Sequence, residues 1–405
     1  MELAREVMLI KYDNKYLAYN YFSNRAVLIN EYTYKQIDKI KKNDYECTGF
    51  LRKLTEVEVK ALIKNGIIYE NMDEYKRMDY ALKLKNRKPK VEISVAYFHI
   101  TQRCNLRCSY CYNKCNLNKP DKLSTKQIFE IIDKLYQKGV KMIVLTGGEA
   151  TVRRDIFEIV KYCKNLGLRV NLLTNGTNLL RKIELFEYID FSIISLDTIN
   201  KKNNQRYGLD IDNLISALKI VSKKYKNKIA VRSVVSKFNI SDIEETRRLI
   251  EEELELSFIT AIYIPNNLSE VKYMINYKDI EPDCDSQNFG GNICGATYKI
   301  IAIDSNGDLY PCQCLIKSKY HVGNILNEDW FEKLEEHDIT NDFKRRTVLN
   351  IEKCKECEFK YLCGGGCRAI SDNLYNNLDS YIECICPFQK DIAINKLISL
   401  VKRYG

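Results

Sequence analysis

Between residues 90 and 267, short apolar runs alternate along the chain with amphipathic stretches. The runs have the length of buried strands, and the stretches between them repeat their apolar positions with the period of a helix. Such alternation predicts an α/β domain with a parallel sheet, and six units predict a partial (β/α)6 barrel of TIM-like architecture. The predicted strands are VEISVAYFHI, MIVL, VNLL, FSIISL, IAVRSVV and ITAIYIP.

Two of the helical stretches begin with a pattern that caps helices. Ser124 precedes Gln127 by three residues, and Ser241 precedes Glu244 in the same way. Each pair predicts a capping box, in which the two side chains satisfy free backbone N–H groups. Because ligands of such barrels bind at the carboxyl ends of the strands, we expect the functional residues in the loops that follow the strands.

The regions on either side of the barrel have different patterns. The first contains two strand-like runs, VMLIKY and KYLAYN, then a helix in EYTYKQIDKIKK, a second helix that ends at Gly66, and a short strand. This order predicts a winged-helix-like domain. The last region has weaker periodicity but 10 of the 16 cysteines, which predicts a small domain organised by metal. The predicted domains are 1–87, 88–268 and 269–405.

Composition narrows the class of protein. The 405 residues are 45% hydrophobic and carry a net charge of +10, but the lysines are scattered, so we do not expect a nucleic-acid partner. The sequence shows no signal peptide and no run of ~20 apolar residues, so we expect a cytoplasmic protein without a membrane partner. In a reducing compartment, 16 cysteines predict metal or redox chemistry rather than disulfides.

Three cysteines, Cys104, Cys108 and Cys111, follow the first predicted barrel strand with C-x3-C-x2-C spacing. Three thiolates on a four-iron cluster leave one iron without a protein ligand, and an open coordination position is a property of catalytic metal sites. A fourth ligand from Cys115 would close the site, but we expect Cys115 to be free. The triplet therefore predicts a catalytic iron–sulfur cluster.

This spacing, with the aromatic Tyr110 before the third cysteine, resembles the signature of the radical S-adenosylmethionine (radical SAM) enzymes. The resemblance implies that the open iron binds the amino and carboxylate groups of S-adenosylmethionine. An electron from the cluster would then cleave this cofactor to methionine and a 5′-deoxyadenosyl radical, which abstracts hydrogen from a substrate. No side chain is assigned as a catalytic acid or base, and His99, His321 and His337 are expected to be packed or solvated.

Three further segments lie where the radical SAM resemblance implies contacts to the cofactor. TGGEA, TNGT and SLD end the second, third and fourth predicted strands. Paired glycines let a backbone approach a ligand closely. Arg206 is a candidate to bind the cofactor carboxylate, and the alternative is that Arg206 is an ordinary surface residue. The implied cofactor-binding residues are Tyr110, Gly147, Gly148, Glu149, Thr174, Asn175, Ser195, Asp197 and Arg206.

The C-terminal cysteines form a second ordered array, which resembles the SPASM extension of radical SAM enzymes. The resemblance implies three [4Fe–4S] clusters, one catalytic and two auxiliary. The implied ligands of the second auxiliary cluster are Cys354, Cys357, Cys363 and either Cys384 or Cys386. Those of the first are Cys294, Cys312 and Cys367, with Cys284 as a loosely spaced fourth. Without Cys284, the first auxiliary cluster is open to a substrate thiolate. The residues that fit no ligand pattern, and are expected to be small buried hydrophobes, are Cys47, Cys163 and Cys314.

The N-terminal region resembles the element that recognises leader peptides of ribosomally synthesised and post-translationally modified peptides (RiPPs). Such elements add the leader as a strand to an exposed sheet edge, which we expect near Lys15–Asn20 and Arg25–Asn30. A winged-helix domain with a packing or nucleic-acid role is the alternative. The implied partners are a precursor peptide with a leader and an electron donor such as flavodoxin or ferredoxin.

These resemblances favour a RiPP maturase that crosslinks its peptide, with a Cys thioether as the first expectation. Carbon–carbon or carbon–oxygen crosslinking, epimerisation and peptide splicing are alternatives on the same scaffold. A formylglycine-generating sulfatase maturase shares the cysteine array but has no use for a leader-binding domain. The non-enzymatic alternative is an iron–sulfur winged-helix regulator, whose affinity for nucleic acid would fall steeply with salt.

Overall fold

The computed structural model describes residues 2–4, 6–12, 14–23, 25–42, 53–69, 86–113, 115, 117–276 and 294–404. Cys47 and Cys284 lie outside these ranges. The strands are β1 Glu2–Leu3, β2 Val7–Tyr12, β3 Lys15–Asn20, β4 Arg25–Ile29, β5 Ile68–Tyr69, β6 Val95–His99, β7 Arg107–Cys108, β8 Met142–Thr146, β9 Arg169–Thr174, β10 Phe191–Ser195, β11 Arg206–Tyr207, β12 Ile229–Val235, β13 Ser257–Ile262, β14 Ile300–Ile303 and β15 Leu309–Tyr310. The helices are α1 Glu31–Lys42, α2 Glu56–Lys64, α3 Thr125–Gln137, α4 Ile156–Asn165, α5 Leu185–Tyr188, α6 Ile211–Tyr225, α7 Ile243–Arg248, α8 Trp330–Glu336, α9 Asp338–Arg345, α10 Glu352–Lys355, α11 Lys360–Cys363, α12 Arg368–Tyr375 and α13 Cys386–Tyr404.

The barrel is an open sheet with the strand order β13-β12-β10-β9-β8-β6-β14-β15. The six predicted barrel strands are all present and parallel, which confirms the α/β fold and the partial barrel. The sheet extends beyond the prediction, because Ile300–Ile303 of the C-terminal region pairs in parallel with Val95–Phe98. The C-terminal region is therefore hydrogen-bonded to the strand that leads into the cysteine triplet.

Helices cover the outer face of the barrel sheet. α3 begins at the predicted capping box, where the Ser124 side chain accepts the Gln127 N–H and the Gln127 side chain accepts the Ser124 N–H. Its buried residues are Ile128, Ile131, Ile132 and Leu135. Full burial of such a side chain stabilises by about 1.5–3 kcal/mol, so this face fixes the helix on the sheet. Within the described residues, no helix combines the length and apolarity that a membrane crossing requires.

The second predicted capping box, at Ser241, is wrong. The chain enters α7 through a 3-10 turn at Ile240–Asp242, and the α-helix begins at Ile243. The Ser241 hydroxyl donates to the Asp242 carboxylate, which also accepts the Thr198 hydroxyl. Contacts to the loop after β10 therefore determine where this helix begins.

The N-terminal region contains an antiparallel sheet in the order β2-β3-β4, with α1 and α2 packed on one face. Its other face packs on α13 and on Phe359 and Leu362 of the C-terminal region. β3 is the central strand and pairs along both sides, so the prediction of an exposed edge at Lys15–Asn20 is wrong. Among the described residues, β4 pairs on one side only, so Arg25–Ile29 is an edge of the sheet.

Candidate active site and iron–sulfur sites

The cysteine triplet lies in the loop that follows β6. β7 holds this loop by pairing with β11, which places Cys108 opposite Arg206. The Cys104 sulfur accepts the N–H of Leu106 at 3.5 Å. Burial raises the pKa of Cys108 to about 11, and the thiols of Cys104 and Cys111 contribute in the same direction. Thiols held near one another in this way can bind a metal centre once they lose their protons to it.

Gly147 and Gly148 let the end of β8 lie directly against the cysteine loop. The Gly148 N–H donates to the Thr101 carbonyl, and the Glu149 N–H to the Arg103 carbonyl, each at 2.8 Å. A Cβ on Gly147 would lie 2.3 Å from the Thr101 oxygen, and one on Gly148 would lie 2.2 Å from the Arg103 oxygen. Neither position has room for a side chain, so the paired glycines position the triplet.

Glu149 is buried and joins the loops that follow β8 and β9. Its carboxylate accepts the Thr174 hydroxyl at 2.7 Å, the Asn175 N–H at 2.6 Å and the Thr151 hydroxyl at 2.6 Å. The Asn175 side chain extends to the triplet, with 4.0 Å between its Nδ2 and the Cys104 sulfur. Three residues that the motifs identified therefore form one buried network that ends at the triplet.

Asp197 and Arg206 form a buried ion pair on the other side of the triplet. The guanidinium places Nη2 3.1 Å from Oδ1 and Nε 3.0 Å from Oδ2, and the Tyr110 hydroxyl donates to the same carboxylate. Arg206 Nη1 lies 3.9 Å from the Cys108 sulfur. Burial is the largest single influence and opposes the charge of Arg206, but Asp197, Tyr110 and Cys108 together outweigh it and raise the pKa of Arg206. The alternative of an ordinary surface arginine is therefore wrong, and this cation favours a thiolate at Cys108.

A cavity of about 210 Å³ opens beside this ion pair. Its lining includes the rings of Tyr110, Phe238 and Tyr263 and the amide of Asn239. The rings of Tyr110 and Tyr263 meet edge to face, with 6.2 Å between their centroids. Aromatic walls with a few polar groups suit a flat heterocycle such as the adenine of S-adenosylmethionine. Sequence motifs missed Phe238, Asn239 and Tyr263, which follow the last two barrel strands.

Four thiols of the C-terminal region line a second cavity, of about 420 Å³: those of Cys354, Cys357, Cys363 and Cys386. Burial, and then the charges of the other three thiols, raise the pKa of Cys354 to about 11. Cys384 instead packs against the barrel core. Of the two alternatives for a fourth thiol, the structure brings Cys386 to this group.

Cys294, Cys312 and Cys367 form a third group of thiols. Cys294 and Cys312 pack on the same small core, and the charge of Cys294 acts on both Cys312 and Cys367. Backbone N–H groups donate to the sulfurs of Cys294 and Cys367. Such N–H donors stabilise the thiolates of iron–sulfur clusters. The predicted fourth ligand, Cys284, lies outside the described residues.

The donor sets fit iron–sulfur clusters. Among the described residues, no three His, Cys, Asp or Glu side chains are arranged to hold a single metal ion. A [4Fe–4S] cube puts each thiolate on a different iron, so its ligands face a common centre while remaining apart. Each group consists of thiols, and arginines lie nearby, with Arg206 beside Cys108 and Arg368 beside Cys294. Soft thiolates next to cations suit such clusters and not hard cations.

Tyr112 lies between the triplet and the first auxiliary group. The protein atoms packed around its hydroxyl raise the pKa of Tyr112 most, and the charges of Cys314 and Cys111 raise it further. The residue is 54% exposed. Because thiols of both groups act on its hydroxyl, Tyr112 lies close to the triplet and to the first auxiliary group alike.

Arg232 of β12 lies near Cys314 and Tyr112 and was not identified from the sequence. Burial, and then the charge of Arg206, lower the pKa of Arg232, and the thiolate of Cys314 is within its electrostatic reach. Ser195 lies opposite Arg232 in the parallel pairing of β10 and β12. The sequence did contain a sign of its role: an arginine in the middle of the apolar strand IAVRSVV is unusual, because charges are rarely buried without a partner.

The other titratable candidates agree with their sequence interpretation except for one cysteine. His99 is buried, and burial lowers its pKa to about 4, while His321 is partly exposed and His337 accepts the Ile339 N–H at the start of α9. His99 is thus packed in the core and His321 lies at the surface. Cys163 is buried in α4 as predicted, but Cys314 is exposed, so its interpretation as a buried hydrophobe is wrong.

Comparison with known proteins agrees with this geometry. The radical SAM superfamily model matches residues 98–250, and the SPASM iron–sulfur cluster-binding model matches residues 294–358. The mycofactocin maturase MftC of Mycolicibacterium smegmatis is 27% identical over 310 residues, which are 67% of this chain and 77% of MftC. The antilisterial bacteriocin subtilosin biosynthesis protein AlbA of Bacillus subtilis is 24% identical over 336 residues, 76% of this chain and 73% of AlbA.

The fold is shared with a solved structure along almost the whole chain. The crystal structure of Streptococcus suis SuiB bound to S-adenosylmethionine aligns with a TM-score of 0.60 at 19% identity, and covers 95% of this chain and 100% of SuiB. An open barrel with a C-x3-C-x2-C triplet and a thiol-rich C-terminal domain defines a class of iron–sulfur enzymes. The chain therefore contains a radical SAM domain and a SPASM domain, so its cofactors are S-adenosylmethionine and [4Fe–4S] clusters.

Proposed function

We propose that the protein is a maturase that binds a ribosomally made precursor peptide and crosslinks it. The names of two relatives support a peptide substrate, since one is a maturase of mycofactocin and the other a biosynthesis protein of the bacteriocin subtilosin. SuiB, which shares the fold, has also been crystallised with its precursor peptide SuiA.

The observation that carries this proposal is the position of Tyr112, which is exposed and near both groups of thiols. Cys111 of the radical site and Cys314 next to the first auxiliary site both act on its hydroxyl. A peptide beside Tyr112 would have a hydrogen-abstracting centre and an electron acceptor within reach at once. Crosslinking needs both, because joining two atoms that each lose hydrogen leaves a surplus electron.

The protein's own residues orient the reaction. When bound, S-adenosylmethionine and the radical-site cluster supply the 5′-deoxyadenosyl radical that takes a hydrogen atom from the substrate. Gly147 and Gly148 fix the cysteine loop, and the Asp197–Arg206 pair holds Tyr110 against the adenine-sized cavity. Arg232 offers a positive charge to an anionic group of the substrate or cofactor.

We propose a thioether between a Cys sulfur and an acceptor carbon as the bond formed. The test is anaerobic co-expression with short, cysteine-containing reading frames encoded nearby, followed by mass spectrometry with and without thiol alkylation. A thioether predicts the loss of two hydrogens per crosslink and one fewer alkylated thiol. The same loss with all thiols free would show a carbon–carbon or carbon–oxygen bond instead. An unchanged peptide would contradict the maturase and favour the sulfatase-maturase or regulator alternatives.

We propose that the leader peptide adds as a strand to the outer edge of β4. Arg25–Ile29 pairs on one side only among the described residues, and Leu28 is 50% exposed. Strand addition uses backbone hydrogen bonds for affinity and side-chain contacts for specificity. Leu28→Glu is therefore expected to weaken leader binding about tenfold or more, by fluorescence anisotropy. Val57→Glu is the matched control, because Val57 is 77% exposed on α2. Equal weakening by both variants would contradict an edge at β4.

The electron that starts each cycle must come from outside the chain. We propose a flavodoxin or ferredoxin as its donor, tested by replacing dithionite with either protein in a peptide turnover assay. We also propose that the enzyme works in the cytoplasm, because cluster ligation requires cysteines in the reduced state.

A further inference from the structure

The first auxiliary site has three thiols from the SPASM pattern and a fourth that the pattern does not include. Cys314 follows Cys312 by two residues, in a tight turn closed by the Leu315 N–H, which donates to the Cys312 carbonyl at 3.0 Å. The turn brings the two sulfurs together, because the Cys312 thiol hydrogen-bonds the Cys314 sulfur. The Cys314 backbone N–H also donates to the Cys312 sulfur.

Cys314 also faces the rest of the group. Its charge acts on Cys367, and the charge of Cys294 acts on both Cys312 and Cys367. Four thiols therefore form one interacting group, two of them from the turn and one from each of two other segments. A set of four thiols around one centre is the full ligand set of a [4Fe–4S] cluster.

The surroundings of Cys314 suit a metal-bound thiolate better than a free thiol. The positive charge of Arg232 acts on the Cys314 sulfur. The charges of Cys314 and Cys312 both act on the hydroxyl of Tyr97 in β6. Cys314 is exposed, and its charge acts on Tyr112 of the loop that carries the triplet. A free thiol at this place would be open to oxidation and to the radical chemistry of the active site.

We propose that Cys314 is the fourth ligand of the first auxiliary [4Fe–4S] cluster, together with Cys294, Cys312 and Cys367. The cluster is then fully ligated by protein, so it transfers electrons and does not bind a substrate thiolate. A closed set of four ligands is typical of clusters without an open coordination position. This inference rests on the cysteine geometry and does not depend on which peptide is modified.

Thiol footprinting of the wild-type holoenzyme tests the proposal without any substitution. The anaerobic protein, loaded with iron and sulfide, is alkylated with iodoacetamide before and after the iron is removed by a chelator, and each cysteine is quantified by mass spectrometry. Cys314 is expected to react about tenfold or more slowly in the loaded protein, while Cys284 reacts equally in both, since only an accessible thiolate is a nucleophile. Cys384 serves as the internal reference. Fast alkylation of Cys314 in the loaded protein would overturn the proposal.

Iron content and EPR spectra of cysteine variants give an independent test in a protein that lacks the radical-site cluster. In a protein with Cys104, Cys108 and Cys111 all changed to Ala, two auxiliary clusters hold about eight iron atoms per chain. Adding Cys314→Ala is expected to lower this to between about four and seven, with the EPR signal of an oxidised three-iron cluster. Adding Cys284→Ala instead is expected to leave iron and spectrum unchanged.

The reverse pattern, with iron lost on Cys284→Ala and kept on Cys314→Ala, would assign the ligand to Cys284 and overturn the proposal. Retention of the full cluster in both variants would show an open site and would also overturn it. Circular dichroism of each variant separates ligand loss from misfolding, because the barrel does not depend on this cluster for its core. Failure of peptide crosslinking alone has no bearing on these readouts.

Discussion

Asp197→Asn removes the negative charge from the buried ion pair beside the triplet while keeping the shape of the side chain. Asp197 exposes 3% and Arg206 10% of their side chains, so water does not replace the lost interaction. Breaking a buried pair by neutralising one partner costs about 3–5 kcal/mol, because the other charge stays buried and uncompensated. In a domain of 150–250 residues this corresponds to a melting temperature lower by about 6–20 °C.

Asp212→Asn is the matched control for this change. The Lys201–Asp212 pair exposes 67% and 69% of its side chains, and water screens such a pair, so it contributes little to stability. Its loss is therefore expected to lower the melting temperature by no more than about 2–4 °C. Both variants are melted anaerobically in the iron-loaded state and followed by circular dichroism, with iron assayed in the same samples. Equal shifts in the two variants would refute the reasoning that the buried pair holds this end of the barrel.

Three further predictions follow from single contacts. Gly148→Ala places a Cβ 2.2 Å from the Arg103 carbonyl oxygen. It is expected to lower the free energy of unfolding in urea by about 1–3 kcal/mol and to lower the iron content of the triplet. An unchanged iron content would contradict the close approach. His99 has a pKa of about 4 when folded and about 6.5 when unfolded, so the unfolded chain binds more protons between these values. Stability is therefore full above about pH 6.5 and falls by about 3 kcal/mol as the pH drops to about 4, and His99→Gln should remove this part of the pH dependence of urea denaturation. Cys386→Ala is expected to lose up to about four iron atoms per chain, whereas Cys384→Ala keeps them; the opposite result would reassign the ligand.

The barrel was predictable because its strands are buried on both faces and so appear as short apolar runs between amphipathic helices. Ile300–Ile303 is equally apolar, but its pairing with Val95–Phe98 joins segments far apart in the chain, and no local pattern encodes that contact. The same limit explains the error at Lys15–Asn20. Whether a strand is central or at an edge depends on the third strand that pairs with it, here Arg25–Ile29.

The cysteine groups were predictable where their spacing resembles a known signature. The triplet and the SPASM cysteines have fixed intervals, and the structure brings each described group together. Intervals did not separate Cys384 from Cys386, because both precede or begin the same helix and only packing distinguishes them. Cys314 and Arg232 had no motif. The position of Cys314 depends on where its turn packs, and that of Arg232 depends on how β12 pairs with β10, and neither can be read from the local sequence.

Transfer of deuterium from the peptide to the cofactor tests the central claim most directly. The peptide identified by co-expression is prepared with deuterated residues and incubated anaerobically with the enzyme, S-adenosylmethionine and a reductant. The account predicts 5′-deoxyadenosine that carries peptide deuterium, in proportion to the crosslink formed, and none when Cys104, Cys108 and Cys111 are changed to Ala. Formation of 5′-deoxyadenosine without deuterium, beside an unmodified peptide, would contradict it.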